Sequence, residues 1–315
     1  MTEHSVDVGV DVGGTSTRAL AVRPDGTVHG RGTAGGGNPN SHPTDLAAKR
    51  VAEAVRDALA GAPRVRACVL GMAGESKFTD PAVVAAFETA LDQVGVTGPV
   101  TVVSDAEVAF ASATSEPTGT VVIGGTGAVA ARIVDHRKAS WIDGWGWLLG
   151  DEGSAYWIGR EAVRVTLRTL QLAEPPGPLA RAVLTEALPT LSDVDTKTVN
   201  HLITAANAEP PIRLARFAST VSALAATDPA AADIVTRAAE HLAAIAQTAR
   251  QPDEDTPIVL AGSVIGPESP VGAALRARLA SLTEAPVLFA PDGALGAAWL
   301  AALSVTGPTA PRPHT

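Results

Sequence analysis

Cysteine is almost absent from this 315-residue chain; Cys68 is the only one. A lone thiol excludes a disulfide framework within one chain, and with it any cysteine-built zinc or iron–sulfur site. Basic charge is also short. Lys and Arg number 24 against 33 Asp and Glu, a formal charge of −9. That argues against nucleic acid as a partner, because phosphates need a basic face. Long apolar runs are missing too: the best candidate, residues 285–303, is broken by Pro291-Asp292-Gly293. Met1-Thr2-Glu3-His4 lacks the basic region and apolar core of a signal peptide. No G-x-x-x-x-G-K-[ST] run and no helix-turn-helix pattern occurs. These absences predict a reduced cytoplasmic compartment and neither a membrane nor a nucleic-acid partner. The apolar fraction of 46% and charged fraction of 18% fit a soluble globular protein, and the length suffices for two domains.

What is present begins at the first apolar run. Val6, Val8, Val10 and Val12 alternate with Asp7, Gly9 and Asp11, the period-two pattern of a strand. Gly13-Gly14-Thr15-Ser16-Thr17 follows, then an apolar second strand from Arg18 to Val22. Glycines without a Cβ let the backbone turn tightly and approach a ligand. Thr15 and Thr17 add hydroxyls, and Asp11 places a carboxylate at the mouth of the hollow. An ordinary glycine hairpin also fits this stretch.

Strands and helices then alternate. A loop at Gly35–Asn40 precedes a helix over Thr44–Leu59, a buried strand over Val65–Leu70 and the loop Gly71-Met72-Ala73-Gly74-Glu75. Asp80-Pro81 starts another helix, and Val100–Val103 forms a strand. An opening hairpin followed by alternation predicts an α/β domain with a mixed sheet. Ser104-Asp105-Ala106-Glu107 lies where a strand ends and a helix begins. Asp105 there serves either as the N-cap or as a general base, since a helix N-terminus keeps a carboxylate ionised.

After Glu116-Pro117-Thr118-Gly119 the logic repeats: strand Thr120–Ile123, then Gly124-Gly125-Thr126-Gly127, then strand Ala128–Val134. Gly125-x-Gly127-x-x-Ala130 matches a dinucleotide fingerprint, but that motif needs a helix next, and a strand pattern follows. Trp141–Gly159 is aromatic-rich: four of the five Trp and the single Tyr lie there, among Gly150-Asp151-Glu152-Gly153-Ser154. Aromatic rings beside carboxylates suit a sugar; a tryptophan-lined core corner accounts for the rings equally. Helical patterns fill residues 161–250, broken at Pro175–Pro178. Pro257–Ala261 reads as a strand opening onto Gly262-Ser263-Val264, and Gly293–Leu303 as a last helix. Residues 304–315 are rich in Pro and Thr and predict a disordered tail.

Asp11-x-Gly13-Gly14-Thr15 resembles the first phosphate motif of actin-like ATPases and sugar kinases. The run Gly-Trp-Gly-x-x-x-Gly-Asp-Glu-Gly-Ser-Ala-x-Trp-Ile-Gly is similar to the BadF/BadG/BcrA/BcrD-type ATPase family, and within it to glucosamine and N-acetylglucosamine kinases. The resemblance spans essentially the whole chain. It implies a two-domain actin-like (ribonuclease H-like) α/β fold. The N-terminal domain is expected at 1–117. The C-terminal domain is expected at 118–303, with a mostly helical insertion at about 160–250 and the last helix, 293–303, packing on the first domain. ATP and Mg2+ are implied cofactors. Gly13, Gly14, Thr15, Thr17, Gly125, Thr126 and Gly127 would hold phosphates, and Gly262 and Ser263 the adenosine. Asp11 and Asp105 would meet the metal. Asp105 would also deprotonate a sugar 6-hydroxyl, with Asn38, Gly127 and Asp151 on other hydroxyls. Two clamps on one triphosphate, closing on the substrate, are expected to exclude water.

N-acetylglucosamine kinases of this kind carry a serine in the loop that here reads Met72-Ala73-Gly74. Ala73 therefore points to the free amine, a cation that Glu75, Asp151 and Glu152 would favour. D-glucosamine is the first expectation and N-acetylglucosamine the second. Related kinases often pair as homodimers, but no patch in the sequence identifies an interface. An activator of a radical dehydratase shares the fold, but one cysteine per chain cannot give a dimer the four ligands of an iron–sulfur cluster. A sugar-sensing repressor would need a DNA-binding module. An actin-like filament is compatible with the fold alone.

Overall fold

The computed structural model describes residues 5–61 and 64–314. The chain divides into two compact units. Of the described residues, the first holds those up to Gly119, plus Ile133–Lys138 and those from Ala290 onward; the second holds Thr120–Arg132 and Ala139–Phe289.

In chain order the first unit supplies β1 (Ser5–Val12), β2 (Ser16–Val22), β3 (Val28–Gly35), α1 (Thr44–Leu59) and β4 (Arg64–Met72). A 3₁₀ turn over Glu75–Thr79 leads to α2 (Pro81–Asp92), β5 (Val100–Ser104) and α3 (Asp105–Ala113). Next come β6 (Gly119–Gly124), β7 (Ala128–Val134) and β8 (Arg137–Asp143). The helical stretch is α4 (Ala155–Gln171), α5 (Pro178–Ala187), α6 (Thr198–Ala208), a 3₁₀ turn at Pro211–Arg216, α7 (Phe217–Leu224) and α8 (Pro229–Thr248). The chain ends with β9 (Ile258–Ala261), α9 (Pro270–Ala280), β10 (Val287–Phe289) and α10 (Gly293–Thr306).

The chain forms two five-stranded sheets, ordered β3-β2-β1-β4-β5 and β10-β9-β6-β7-β8. Counted within its own sheet, each runs third, second, first, fourth, fifth strand, so one plan occurs twice. In the first sheet β2 is antiparallel to β1 and to β3, while β4 runs parallel to β1 and β5 to β4. In the second, β9 is parallel to both β6 and β10. A strand and not a helix follows Gly127, which removes the dinucleotide reading.

The alternation along β1 has a different meaning from the half-exposed strand it suggests. Both faces of β1 are covered. Val6, Val8, Val10 and Val12 join the cluster formed with α1 and α2. The opposite face carries Asp7, Gly9 and Asp11 toward α10. A Cβ on Gly9 would lie 1.9 Å from the Ala298 backbone nitrogen, and one on Gly296 the same distance from the Val108 carbonyl oxygen. Glycine is needed at both because α10 packs backbone to backbone on β1 and α3. Asp7 is fully buried on this face and is held by the Arg66 guanidinium, which neutralises it.

The second unit's core runs from Val122 and Ala130 through Trp157 and Phe217 to Leu242, Leu260 and Leu275. It joins the sheet to the α4–α8 stretch.

The tail expectation is corrected. The last helix continues to Thr306, and residues 307–314 are tied down. Arg312 donates to the carbonyls of Ala111, Ser112 and Thr114 at 2.7–2.8 Å, satisfying the C-terminal end of α3. Its guanidinium also lies 4.8 Å from the Trp299 ring centroid. Trp299 donates to Ala310 at 3.2 Å, and the His314 backbone pairs with Gly26 and Val28. Composition signalled disorder, but a single arginine meeting three orphan carbonyls overrides it.

Arg312→Ala removes charged hydrogen bonds from a partly buried site. A loss of about 1.5–3 kcal/mol is expected, read as a lower urea midpoint. A midpoint unchanged within error would contradict this account of the tail.

Candidate functional site

In the first unit, the Gly13–Ser16 turn is exposed at its tip and braced from behind. Gly13 N donates to Ser16 O at 2.9 Å, and Asn38 N to Gly13 O at 3.3 Å. His42 Nε2 lies 2.8 Å from the Gly14 carbonyl. A Cβ on Gly36 would sit 2.0 Å from that same oxygen, so the loop behind the turn must be glycine there. The backbone carbonyls are thereby directed inward, while Gly14, Thr15 and Ser16 face solvent. Thr17 is a correction: it is fully buried and its hydroxyl donates to Gly35 O at 2.9 Å, so strand pairing takes it away from any phosphate.

Asp11 faces Arg18 across the β1–β2 ladder, with Arg18 Nη2 2.5 Å from its Oδ2. Arg18 also lies 3.6 Å from Asp292, the N-cap of α10. Burial raises the Asp11 pKa; Arg18 opposes the rise and the charge of Asp292 adds to it.

Asp105 is the first residue of α3, one place inside the cap. Ser104 is the N-cap, in a full capping box: Glu107 N donates to the Ser104 hydroxyl, and Ser104 N donates to Glu107 Oε2 at 2.6 Å. The capping task therefore falls to Ser104, and of the two readings of Asp105 the N-cap one is removed. Asp105 Oδ1 accepts only its neighbour's amide, Ala106 N, at 2.9 Å among the bonds described. Burial lifts its pKa from 3.8 to about 6. The Ala106 bond and Lys138 pull it down, while Asp11 and Glu75 push it up.

The sugar-loop residues of this unit come together. Asn38, nearly buried, donates from Nδ2 to Ala73 O at 3.0 Å and accepts from Asn40 N at 2.9 Å. Asn40 Nδ2 reaches the Ala73 and Gly74 carbonyls. Asn38 thus links the Gly13 turn to the Ala73 loop. Glu75 is not a bare carboxylate: Lys138 Nζ lies 2.5 Å from its Oε1.

In the second unit, the Gly124–Gly127 turn meets both flanking segments. Ala155 N donates to Gly125 O and Val264 N to Gly124 O, at 2.9 and 3.0 Å. A Cβ on Gly262, whose φ is +100°, would lie 2.3 Å from Gly124 O. The Gly262-Ser263 loop and the glycine turn are therefore adjacent, both partly open to solvent. Asp151 is buried, in the left-handed region at φ 59°. It accepts from Ala128 N at 3.1 Å, and its own N donates to Asp143 Oδ1 at 3.0 Å. Its pKa rises, first from burial, against the Ala128 bond and with the Asp143 charge. A Cβ on Gly127 would fall 2.8 Å from Asp151 Oδ2, so the carboxylate lies directly over that turn. Glu152 points elsewhere: it is mostly exposed and lies 3.1 Å from His241 Nδ1. The aromatic segment splits. Tyr156 and Trp157 are core residues, while Trp141, Trp145, Leu148 and Leu149 are exposed.

Asp11 and Asp105 are carboxylates, a donor type that suits Mg2+. Among the described residues no group of three His, Cys, Asp or Glu side chains could cage a metal. Asp11 and Asp105 nonetheless lie within each other's field, and Mg2+ commonly binds through one or two carboxylates, its own waters and substrate phosphates. No described helix is long and apolar enough to cross a membrane.

The model of the BadF/BadG/BcrA/BcrD ATPase family matches residues 8–301. The chain belongs to this family. A proposed N-acetylglucosamine kinase from Chromobacterium violaceum superposes with a TM-score of 0.73 at 25% identity, covering 96% of this chain and 100% of that one. An N-acetylmuramic acid/N-acetylglucosamine kinase from Clostridium acetobutylicum is 28% identical over 51% of this chain and 53% of its own length. An N-acetyl-D-glucosamine kinase from Dictyostelium discoideum is 31% identical over 56% of this chain and 59% of its own. The matches therefore span just over half of those two relatives. The fold is shared more widely: a glucokinase of the ROK family from Streptomyces griseus superposes at 0.55 with 20% identity, covering 94% of this chain and 98% of that one. The architecture is that of the actin-like ATPase sugar kinases.

Arg18, Glu107, Lys138 and Asp143 escaped the sequence reading. Ser104-x-x-Glu107 carries a legible capping-box signal. Arg18, Lys138 and Asp143 act across strands or between distant segments and leave no local mark.

The Asp105 pKa gives a stability prediction with a definite sign. A folded pKa of about 6, above the unfolded 3.8, adds stability below pH 3.8 that is lost as pH rises through about 6. The isolated protein with Asp105→Asn is expected to outlast wild type at pH 7–8, by on the order of 1–3 kcal/mol. The gap should close below pH 4. Urea melts at both pH values read it, and a less stable variant at pH 8 refutes it.

Proposed function

We propose that the chain is an ATP-dependent hexosamine kinase that phosphorylates the 6-hydroxyl of D-glucosamine. The observation that carries this reading is Asp105: relieved of capping by Ser104 and Glu107, and lifted by burial to about 6. A base poised just below neutral pH is ionised, yet still basic enough to share a proton in the transition state. Asp105 takes the proton of the 6-hydroxyl. The oxygen forms a bond to the γ-phosphorus as the bond to the ADP oxygen breaks. Phosphoryl transfer asks little more of a protein than positioning and charge neutralisation.

Gly13, Gly14 and Thr15, with Gly125, Thr126 and Gly127, are assigned to phosphates, and Gly262 and Ser263 to the adenosine. Asp11 and Asp105 would orient Mg2+, which when bound neutralises phosphate charge. Asn38, Gly127 and Asp151 are assigned to sugar hydroxyls, and the Ala73–Glu75 loop to the substituent at carbon 2. Ala73 offers no hydroxyl to an acetamido group, which favours the amine. N-acetylglucosamine is the second reading, supported by the names of the relatives and by the Glu75–Lys138 pair, which cancels part of the acidity a cationic amine would seek.

A panel of sugars with ATP and Mg2+ tests this. Turnover is expected with glucosamine first, and none with Asp105→Asn. A clear preference for N-acetylglucosamine would replace the substrate, and full activity of Asp105→Asn would remove the mechanism. With either hexosamine, kcat/KM should rise with pH through a limb near 6, as Asp105 loses its proton. A flat profile between pH 5 and 8 counts against Asp105 as the base.

A further inference from the structure

Lys138 is a basic residue of the first unit that stands beside the Ala73–Glu75 loop and is given no catalytic or phosphate role. It lies in the Ile133–Lys138 segment, which belongs to that unit, and is held twice. Its backbone N donates to Glu107 Oε1 at 3.3 Å. The other oxygen of Glu107 caps Ser104 N, immediately before Asp105. Its side chain crosses to Glu75, with Nζ 2.5 Å from Oε1, in a partly buried pair. One residue thus joins the start of α3 to the loop that follows Ala73. Glu75 and Lys138 act on Asp105 with opposite sign.

We propose that Lys138 is a specificity-determining residue: by holding the Glu75 carboxylate, it sets how strongly this loop takes a cationic rather than a neutral substituent on the sugar. The inference rests on the proposed hexosamine kinase function. An ammonium group approaching Glu75 meets the Lys138 charge and must share or displace it. An acetamido group carries no charge and meets no such competition. Selectivity between the two is therefore a contest for one carboxylate, which opposing charges can tune more than shape can.

The test is the ratio of KM for glucosamine to KM for N-acetylglucosamine, measured with ATP and Mg2+ at fixed pH and salt. Lys138→Met frees Glu75 and should lower the ratio about fivefold, the scale of one partly exposed ion pair. Glu75→Gln leaves the lysine to repel the amine and should raise it by a similar factor. The double variant should return to within about twofold of wild type, and Lys138→Arg should stay close to it. Thermal melts establish that each variant is folded. Calorimetric binding of both sugars without ATP reads the same ratio for a variant with poor turnover. Parallel changes for both sugars, or a double variant as far from wild type as the singles, overturn the inference. If wild type neither binds nor phosphorylates either hexosamine, the kinase reading falls and takes the inference with it. If Asp105→Asn abolishes turnover but the ratio is constant across the Lys138 variants, only the inference falls.

Discussion

The first unit depends on a contact with no side chain in it. The last helix, α10, lies on β1 and α3 at backbone distance, because Gly9 and Gly296 offer no Cβ to hold it off. That approach lets the chain's end cover the polar face of its own first strand. It seals Asp7 with Arg66 under the helix and brings the start of α10 against Asp11, with Asp292 beside Arg18. A Cβ on Gly293 would lie 2.8 Å from the Asp11 side chain. Part of the electrostatic setting of Asp11 thus comes from Asp292, nearly three hundred positions away in the chain, added to that of its strand neighbour Arg18. Backbone contact is stiff, since a packed interior cannot yield a methyl group's worth of space without a cost. The stiffness carries on to the tail, where Arg312 closes the far end of α3.

From that frame the charge balance around Asp105 follows. Its helix is started by Ser104 and Glu107, so the carboxylate is spared the cap and stands among Asp11, Glu75 and Lys138. Burial dominates and raises its pKa; the three charges then act as trims of opposite sign. Glu107 has a double duty. One oxygen completes the capping box and the other receives Lys138 N, with Arg137 at 3.7 Å. The group that shapes the helix start is also the one that anchors the lysine. In the second unit Asp151 has a comparable place, binding Ala128 N and overlying Gly127, with Asp143 holding it in a left-handed conformation. Asp tolerates that conformation better than most residues because its short side chain bonds locally.

The legible parts of the chain were those written in local spacing. Alternating valines, glycine turns and helical runs of Ala, Val and Leu marked strands, turns and helices close to where they stand. The strand, glycine turn and strand pattern occurs twice in the sequence, and the two sheets share one strand order. Local reading failed where a long-range partner decides. Thr17 looked like a phosphate hydroxyl, but strand pairing buried it on Gly35. The tail looked disordered because Pro and Thr carry no periodicity, yet Trp299 and Arg312 fasten it. Glu75 looked like a free acid because nothing nearby in sequence hinted at Lys138. The tryptophan segment was open between a sugar platform and a core corner, and it divides into a core half and an exposed half.

The amino-acid sequence by itself determined the α/β class, the order of elements, the two glycine turns and the candidate base, because each rests on patterns a few residues long. The single cysteine and the net negative charge were equally properties of the sequence alone. Only the tertiary structure decided which charges meet: Arg18 with Asp11, Lys138 with Glu75, Asp151 over Gly127. Those pairings join residues 7 to 63 positions apart. Their energies depend on burial and distance, and neither exists until the chain has folded.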